Sequence, residues 1–134
     1  MITGRLAAPG EDAPFSDGVI VEGSLAFLAG QGPIRDGTIV QGSVRDQAEA
    51  ALANLAGCLE RLGVDSSAVV SCTCYLSDIG EISEFNAAYV HFFRTHRPAR
   101  TTVQAQLISG ISVEITAVVA LPGKHPDPVE RSQP

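Results

Sequence analysis

The chain has 134 residues, a formal net charge of −6 and a sequence pI near 4.9. This length fits one domain, and the acidic balance argues against nucleic acid and anionic membrane as partners, because phosphate binding needs a basic patch. Charged residues make up only 18%, which predicts a surface partly covered by another subunit. No secretory signal or membrane span is expected, and three cysteines without secretory context predict reduced thiols in the cytoplasm.

The first third of the chain predicts short strands and turns. Residues 1–12 are expected to be irregular, whereas Val19–Val21 and Leu25–Ala29 predict two short strands. The run Gly30-Gln31-Gly32-Pro33 predicts a loop with several free backbone N–H groups, and Asp36-Gly37 predicts a further turn.

The middle of the chain predicts two helices separated by a strand. Ser43 with Asp46 three residues later forms a capping box for the first helix, and Gly63 supplies its C-terminal stop. Val69–Leu76 predicts a strand, and the second helix is expected from about Ile79 to Arg94. Because each helix has one apolar stripe, both are expected on one face of a single mixed sheet, with the opposite face bare. The fold class is therefore α+β.

The segment after the second helix predicts a β-hairpin. Pro98 cannot continue a helix, so the second helix must end before it. Thr101–Leu107 and Ile111–Leu121 alternate polar and apolar residues, and the turn between them is placed at Ile108-Ser109-Gly110. One hairpin face is expected to be core. The other is polar and carries Arg100, Thr102, Gln104, Gln106, Ser112, Glu114 and Thr116.

Arg100 and Glu114 are the candidate functional pair on this polar face. A hairpin turn near Ser109 places Glu114 opposite Val103 or Gln104, within diagonal reach of Arg100. A guanidinium offers a fork of donors that binds a carboxylate through two bonds. The alternative interpretations are an ordinary hydrated face, or a salt bridge between the two residues within or between subunits.

The cysteines and histidines predict no metal or nucleophile site. Cys72 and Cys74 share an otherwise apolar strand face, and Cys58 lies on the first helix, so all three are expected to be structural. His91 and His96 flank the end of the second helix at a spacing that does not suit one helical face. Residues 1–123 are expected to form one domain, and residues 124–134 a disordered tail.

Several motifs resemble the RidA/YjgF superfamily of small trimeric imine deaminases. The likeness covers roughly Ala13 to Gly123, and the segments 97–103 and 113–115 are its most specific part. The motifs are Ala13-Pro14-Phe15-Ser16, Ala29-Gly30-Gln31-Gly32-Pro33, Cys74-Tyr75-Leu76-Ser77-Asp78, Phe85-Asn86-Ala87-Ala88-Tyr89 with Phe92-Phe93, Arg97-Pro98-Ala99-Arg100-Thr101-Thr102-Val103 and Val113-Glu114-Ile115.

The resemblance implies a fold similar to that of the trimeric bacterial chorismate mutases. In such a homotrimer three sheets form a central barrel, the helices lie outside, and a ligand cleft lies at each subunit interface. The resemblance further implies that Arg100 binds a substrate carboxylate and Glu114 orients the attacking water. The residues expected to frame the cleft are Phe15, Gly30, Gln31, Asn86 and Thr102.

The implied activity is hydrolytic deamination of reactive 2-imino or 2-enamino acids to 2-keto acids and ammonia. An example is 2-iminopropanoate formed from 2-aminoacrylate, whose removal is metabolite damage control, and no cofactor or metal is expected. The alternative is a non-catalytic module that binds a small carboxylate, while the acidic charge disfavours the ribonuclease activity described for some members. Phe15 replaces a common Tyr and Ala29 a common Ser, which implies a more apolar cleft and leaves the substrate open.

Overall fold

A computed structural model describes residues 1–10 and 12–123, so the predicted tail at 124–134 lies outside the described residues. Within these ranges the chain forms eight strands and two α-helices. Their bounds are β1 Ile2–Leu6, β2 Gly18–Val21, β3 Leu25–Phe27, β4 Ile34–Arg35, β5 Thr38–Ile39, α1 Val44–Arg61, β6 Val69–Leu76, α2 Ile82–Phe93, β7 Ala99–Gln104 and β8 Val113–Ala120.

The main sheet has four strands in the order β3-β8-β6-β7. Strand β6 runs parallel to β7 and antiparallel to β8, so the sheet is mixed, and β3 is antiparallel to β8. Strands β1 and β2 form a separate antiparallel pair, as do β4 and β5. The α+β class with two helices and a mixed sheet is confirmed, but the strands do not all join one sheet.

Both helices pack on the same face of the main sheet. The buried cluster between helices and sheet contains Val44, Ala48, Ala51, Leu52, Leu55, Leu59, Val69, Cys72, Cys74, Leu76, Phe85, Ala88, Tyr89, Phe93, Val113, Ile115, Ala117 and Val119. On the opposite face, which no described helix covers, Phe27 is 76% and Val103 39% exposed. We call this uncovered side the bare face. The sequence predicts such a face opposite the two helices. Neither helix is long and apolar enough to cross a bilayer.

Local sequence signals place the helix ends. Ser43 caps α1: its side chain accepts from the backbone N–H of Asp46, whose carboxylate accepts from the Ser43 N–H at 3.0 Å. Gly63, just beyond α1, has a left-handed φ of 74° that glycine adopts without strain. The second helix begins later than predicted, because Ile79–Glu81 forms a short 3₁₀ turn before α2.

The N-terminal segment was predicted to be irregular, and this prediction is wrong. Residues Ile2–Leu6 form β1 and pair with β2. The segment has no strand pattern of its own, since Thr3, Gly4 and Arg5 interrupt its apolar residues. Pairing with β2 supplies the hydrogen bonds that make it a strand, and its position depends on a partner distant in sequence.

The predicted hairpin between β7 and β8 is also wrong, because β6 lies between them. Cys72 on β6 pairs with Arg100 of β7 on one side and with Ala117 of β8 on the other. The helix α2 connects β6 to β7, and a strand–helix–strand connection makes the two strands parallel neighbours. The eight-residue segment 105–112 then has to cross the end of β6 to reach β8, which a tight hairpin turn could not do.

Gln47 of α1 holds this crossing segment in place. Its side chain is 3% exposed. The amide nitrogen donates to the carbonyls of Val40 at 3.0 Å and Gly110 at 2.8 Å, and the amide oxygen accepts from Ser112 N–H at 2.7 Å. The amide nitrogen and the amide oxygen of Gln47 are therefore both paired, and the bonds to Gly110 and Ser112 fasten the segment 105–112 to α1.

Replacing Gln47 with Ala should lower the free energy of unfolding by about 2 kcal/mol, because it removes three partly buried hydrogen bonds to backbone groups. Urea unfolding of Gln47→Ala and of the control Gln41→Ala measures this. Gln41 is exposed and makes one long bond to Ile39 at 3.4 Å, so its replacement should change little. Equal stability of the two variants would contradict the role of Gln47.

Candidate functional site

Arg100 and Glu114 do not share a sheet face. Arg100 pairs with Cys72, and Glu114 pairs with Tyr75, three residues further along the same strand. Paired residues point to the same side, so Arg100 faces the helices and Glu114 lies on the bare face. The two residues lie two strands apart across the sheet and three positions apart along the strands, so their Cα atoms are about 14 Å apart. The predicted shared polar face is therefore wrong for a single chain.

The Arg100 side chain lies against two aromatic rings of α2. Its guanidinium carbon is 4.8 Å from the ring centroid of Tyr89 and 5.5 Å from that of Phe85, within cation–π range. The Nη1 atom is buried and has no hydrogen-bond partner, and none of the described carboxylates forms an ion pair with it. A buried guanidinium nitrogen without a partner is costly to a folded chain, and a carboxylate is the partner that the guanidinium geometry suits.

Three further buried polar atoms near this strand lack an oxygen or nitrogen partner. They are Asn86 Oδ1, the Tyr89 hydroxyl and Thr102 Oγ1, and with Arg100 Nη1 all lie on α2 or β7. Folded chains pair nearly all buried polar groups, so a concentration of unpaired ones at one edge points to a missing ligand or chain. We call Phe85, Asn86, Tyr89, Arg100 and Thr102 the Arg100 group.

Glu114 lies directly over Gly30 on the bare face. A Cβ atom built at Gly30 would stand 2.6 Å from Glu114 Oε2, so any larger residue here would displace the Glu114 carboxylate from its observed position. The next residue, Gln31, exchanges two backbone hydrogen bonds with Ile115, at 2.7 and 3.0 Å. We call Gly30, Gln31 and Glu114 the Glu114 group, and the structure brings these three predicted residues together.

Asn54 of α1 holds the loop that follows the Glu114 group, and sequence reasoning missed it. Its amide nitrogen donates to the carbonyls of Gly32 at 2.9 Å and Ile34 at 2.8 Å. An amide between the apolar positions Ala51 and Leu55 of α1 was the available signal, because a polar residue beside the core stripe usually has a fixed partner.

Phe15 lines a cleft with Arg100, where the segment at Ser16 runs beside β7. This cleft of about 370 Å³ also includes Ser16, Ser71, Thr73 and Ala99 among its lining residues. Ser16 holds the segment to the strand: its N–H donates to Pro98 O at 3.1 Å and its hydroxyl to Arg97 O at 2.6 Å. Phe15 therefore lies near the Arg100 group and away from the Glu114 group.

The two strand cysteines belong to the core, as expected. Cys72 and Cys74 are 2% and 0% exposed. Burial raises the pKa of the Cys72 thiol to about 12 and raises that of Cys74 as well. Burial also raises the pKa of Tyr89, whose hydroxyl faces the Cys72 thiol. Among residues 1–10 and 12–123, no three His, Cys, Asp or Glu side chains converge as a set of metal ligands.

The buried thiols should make the protein less stable at alkaline pH. Between pH 9 and 12 the Cys72 thiol ionises in the unfolded chain, where its pKa is near 9.0, but it stays protonated in the folded chain. The unfolded state then binds fewer protons, so the free energy of unfolding should fall by about 1.4 kcal/mol per pH unit for this thiol. Urea unfolding at pH 8 to 11 measures the slope, which Cys72→Ala should reduce; equal slopes would contradict this.

The chain is similar in sequence to several known proteins. The family model described as "Endoribonuclease L-PSP" matches residues 5–121. The "Protein DfrA" of Myxococcus xanthus is 41% identical over 115 residues, covering 83% of this chain and 88% of that protein. The human "2-iminobutanoate/2-iminopropanoate deaminase" is 35% identical over 114 residues, covering 83% and 82%. Another relative, from Lactococcus lactis, is named "Putative regulator AldR" and is 35% identical over 120 residues, covering 87% and 94%.

A solved structure agrees with the sequence comparison. The crystal structure of YEO7 from yeast has a TM-score of 0.71 and 34% identity to this chain, and it covers 91% of this chain and 100% of its own. The match of a family model over 117 residues, supported by relatives of nearly equal length, shows the family. This chain belongs to the RidA/YjgF family, whose model carries the name endoribonuclease L-PSP.

Proposed function

We propose that this protein hydrolyses reactive 2-imino acids, and the enamines that tautomerise to them, to 2-keto acids and ammonia. The observation that carries the proposal is the Arg100 guanidinium, which rests on two rings with a buried nitrogen that no described group pairs. A substrate carboxylate is the partner that this cation fits. The human relative's name, which specifies 2-imino acids, supports the choice of substrate class.

The proposed site is composed of two subunits. Because Arg100 and Glu114 lie on opposite faces of the sheet in one chain, Arg100 of one subunit would meet Glu114 of a neighbour. The bare face offers exposed Phe27 and Val103 for subunit packing. A homotrimer with bare faces turned inward as a barrel, and three clefts between subunits, is the proposed assembly.

The reaction requires that the substrate carboxylate be bound and that a water molecule be positioned next to the C=N carbon. Glu114 accepts a proton from the water as the water oxygen bonds to the C=N carbon, and the π pair moves to nitrogen, which takes up that proton from Glu114. The resulting carbinolamine transfers its hydroxyl proton through Glu114 to the amine as the C–N bond breaks, so ammonia leaves and the 2-keto acid forms. The imine carbon is already electrophilic, so Glu114 has only to orient the water and relay protons.

Other cleft residues would shape substrate preference. Gly30 and Gln31 would frame the Glu114 side, while Asn86 and Thr102 carry unpaired polar atoms on the Arg100 side. Phe15 lines the cleft beside Arg100 with an apolar ring. We expect the cleft to favour imino acids with apolar side chains. Such a protein would remove reactive imines, such as that formed from 2-aminoacrylate, in the cytoplasm.

A second candidate function is that of a non-catalytic module that binds a small carboxylate. The relative named "Putative regulator AldR" favours it, since that protein is as similar to this chain as the human deaminase. The same Arg100 would then bind a 2-keto acid, and Glu114 would have no role in turnover. The two candidates differ in whether the protein accelerates imine hydrolysis.

Arg100→Ala should weaken substrate binding by roughly 10- to 150-fold, the loss expected for a charged hydrogen-bond partner. Glu114→Gln should lower the rate by about 10²- to 10⁴-fold, as expected for a positioned acid–base group. An amino acid oxidase generates 2-iminopropanoate in the assay, and its decay is followed with each variant. Arg45→Ala and Glu49→Gln remove the same charges from an exposed pair on α1 and serve as controls.

If the wild type does not accelerate decay but binds pyruvate through Arg100, the non-catalytic function replaces the enzyme proposal. If Arg100→Ala and Glu114→Gln are as active as the two controls, both functions lose their proposed site. Circular dichroism of each variant shows whether the fold is retained.

Co-expressing Arg100→Ala with Glu114→Gln should restore activity if the site takes one residue from each of two subunits. In randomly mixed trimers, each interface has a chance of about one quarter of combining an intact Arg100 with an intact Glu114. The mixture should therefore recover roughly 25% of wild-type activity. Arg100→Ala co-expressed with the double variant should recover none. No recovery in the first mixture, with the trimer intact, would rule out the shared site.

A further inference from the structure

We infer that Tyr89 is a positioning residue for Arg100, holding the guanidinium in the orientation in which it receives the substrate carboxylate. The inference rests on the binding role proposed for Arg100. It adds a residue of the α2 core that contacts no substrate in the proposed mechanism.

The contact between the ring and the cation is the first observation. The guanidinium carbon of Arg100 lies 4.8 Å from the centroid of the Tyr89 ring, closer than its 5.5 Å to that of Phe85. No described carboxylate pairs with this cation, so the two rings are the contacts that favour its charge within the described residues. An Arg side chain has many rotamers. A fixed ring beneath the guanidinium, called the platform here, leaves fewer rotamers populated besides the one that binds a carboxylate.

The platform itself is fixed from three sides. Tyr89 is fully buried, with its centroid 4.7 Å from that of Phe93 and 5.5 Å from that of Phe85. Its hydroxyl faces the thiol of Cys72 on β6, the residue that pairs with Arg100 across the strands. The ring therefore cannot rotate away without opening the core, and the cation above it shares this rigidity.

Removing the Tyr89 ring should weaken substrate binding and leave the rate of the chemical step nearly unchanged. A loosened Arg100 would hold the carboxylate less well both before and during reaction, which raises KM and leaves kcat nearly constant. Cation–π contacts at partly desolvated sites imply a loss of about 3- to 30-fold in carboxylate affinity. Phe at this position keeps the platform and should keep the affinity.

The experiment compares three single variants with wild type. Tyr89→Leu removes the platform and Tyr89→Phe retains it. Val119→Ala is the control, because it opens a cavity at a fully buried position on β8, which β6 separates from β7. The measured quantities are the dissociation constant for pyruvate, as a stable 2-keto acid probe, and kcat and KM for 2-iminopropanoate. Urea unfolding measures the free energy of unfolding that Tyr89→Leu and Val119→Ala each lose.

We expect Tyr89→Leu to bind pyruvate about 3- to 30-fold more weakly, with wild-type affinity in Tyr89→Phe and in Val119→Ala. Equal losses in Tyr89→Leu and Val119→Ala would mean a general effect of a core cavity and would overturn the inference. Wild-type affinity in Tyr89→Leu would overturn it while leaving Arg100 as the binding residue. If Arg100→Ala binds pyruvate as well as wild type, the proposed function itself fails, and that outcome is distinct from the other two.

Discussion

The contact of one cation with two aromatic rings organises the candidate site of this protein. Arg100 has no anionic partner among the described residues, and its position depends on Phe85 and Tyr89 of α2. Burying part of a guanidinium without a counter-charge is costly unless a partner arrives from outside the chain. The fold accepts this cost on β7, the outermost strand of the main sheet.

The sheet separates the two halves of the candidate chemistry. Cation and aromatic platform lie on the helix side, whereas Glu114 lies over Gly30 on the bare face. A single chain therefore carries two half-sites that its own sheet keeps apart. The proposed reaction would therefore take one residue from each of two subunits, and the low charged fraction of the sequence agrees with such association.

Two amides of α1 connect helix packing to these half-sites. Gln47 fixes the segment that crosses the end of β6, and Asn54 fixes the loop after Gly30 and Gln31. Neither lies at the site, but each determines where a strand or loop of the site begins. Their bonds are buried or partly buried, so they specify backbone geometry more strongly than exposed contacts would.

The sequence by itself determined the helices, most strands, the capping box at Ser43 and the family motifs, because these depend on neighbours a few residues apart. Only the tertiary structure decided which face Arg100 occupies. Alternation with a period of two tells which residues share a face, but not which face meets the helices. That choice followed from β6 pairing between β7 and β8, a contact between segments far apart in sequence, and it moved Arg100 to the opposite side from Glu114.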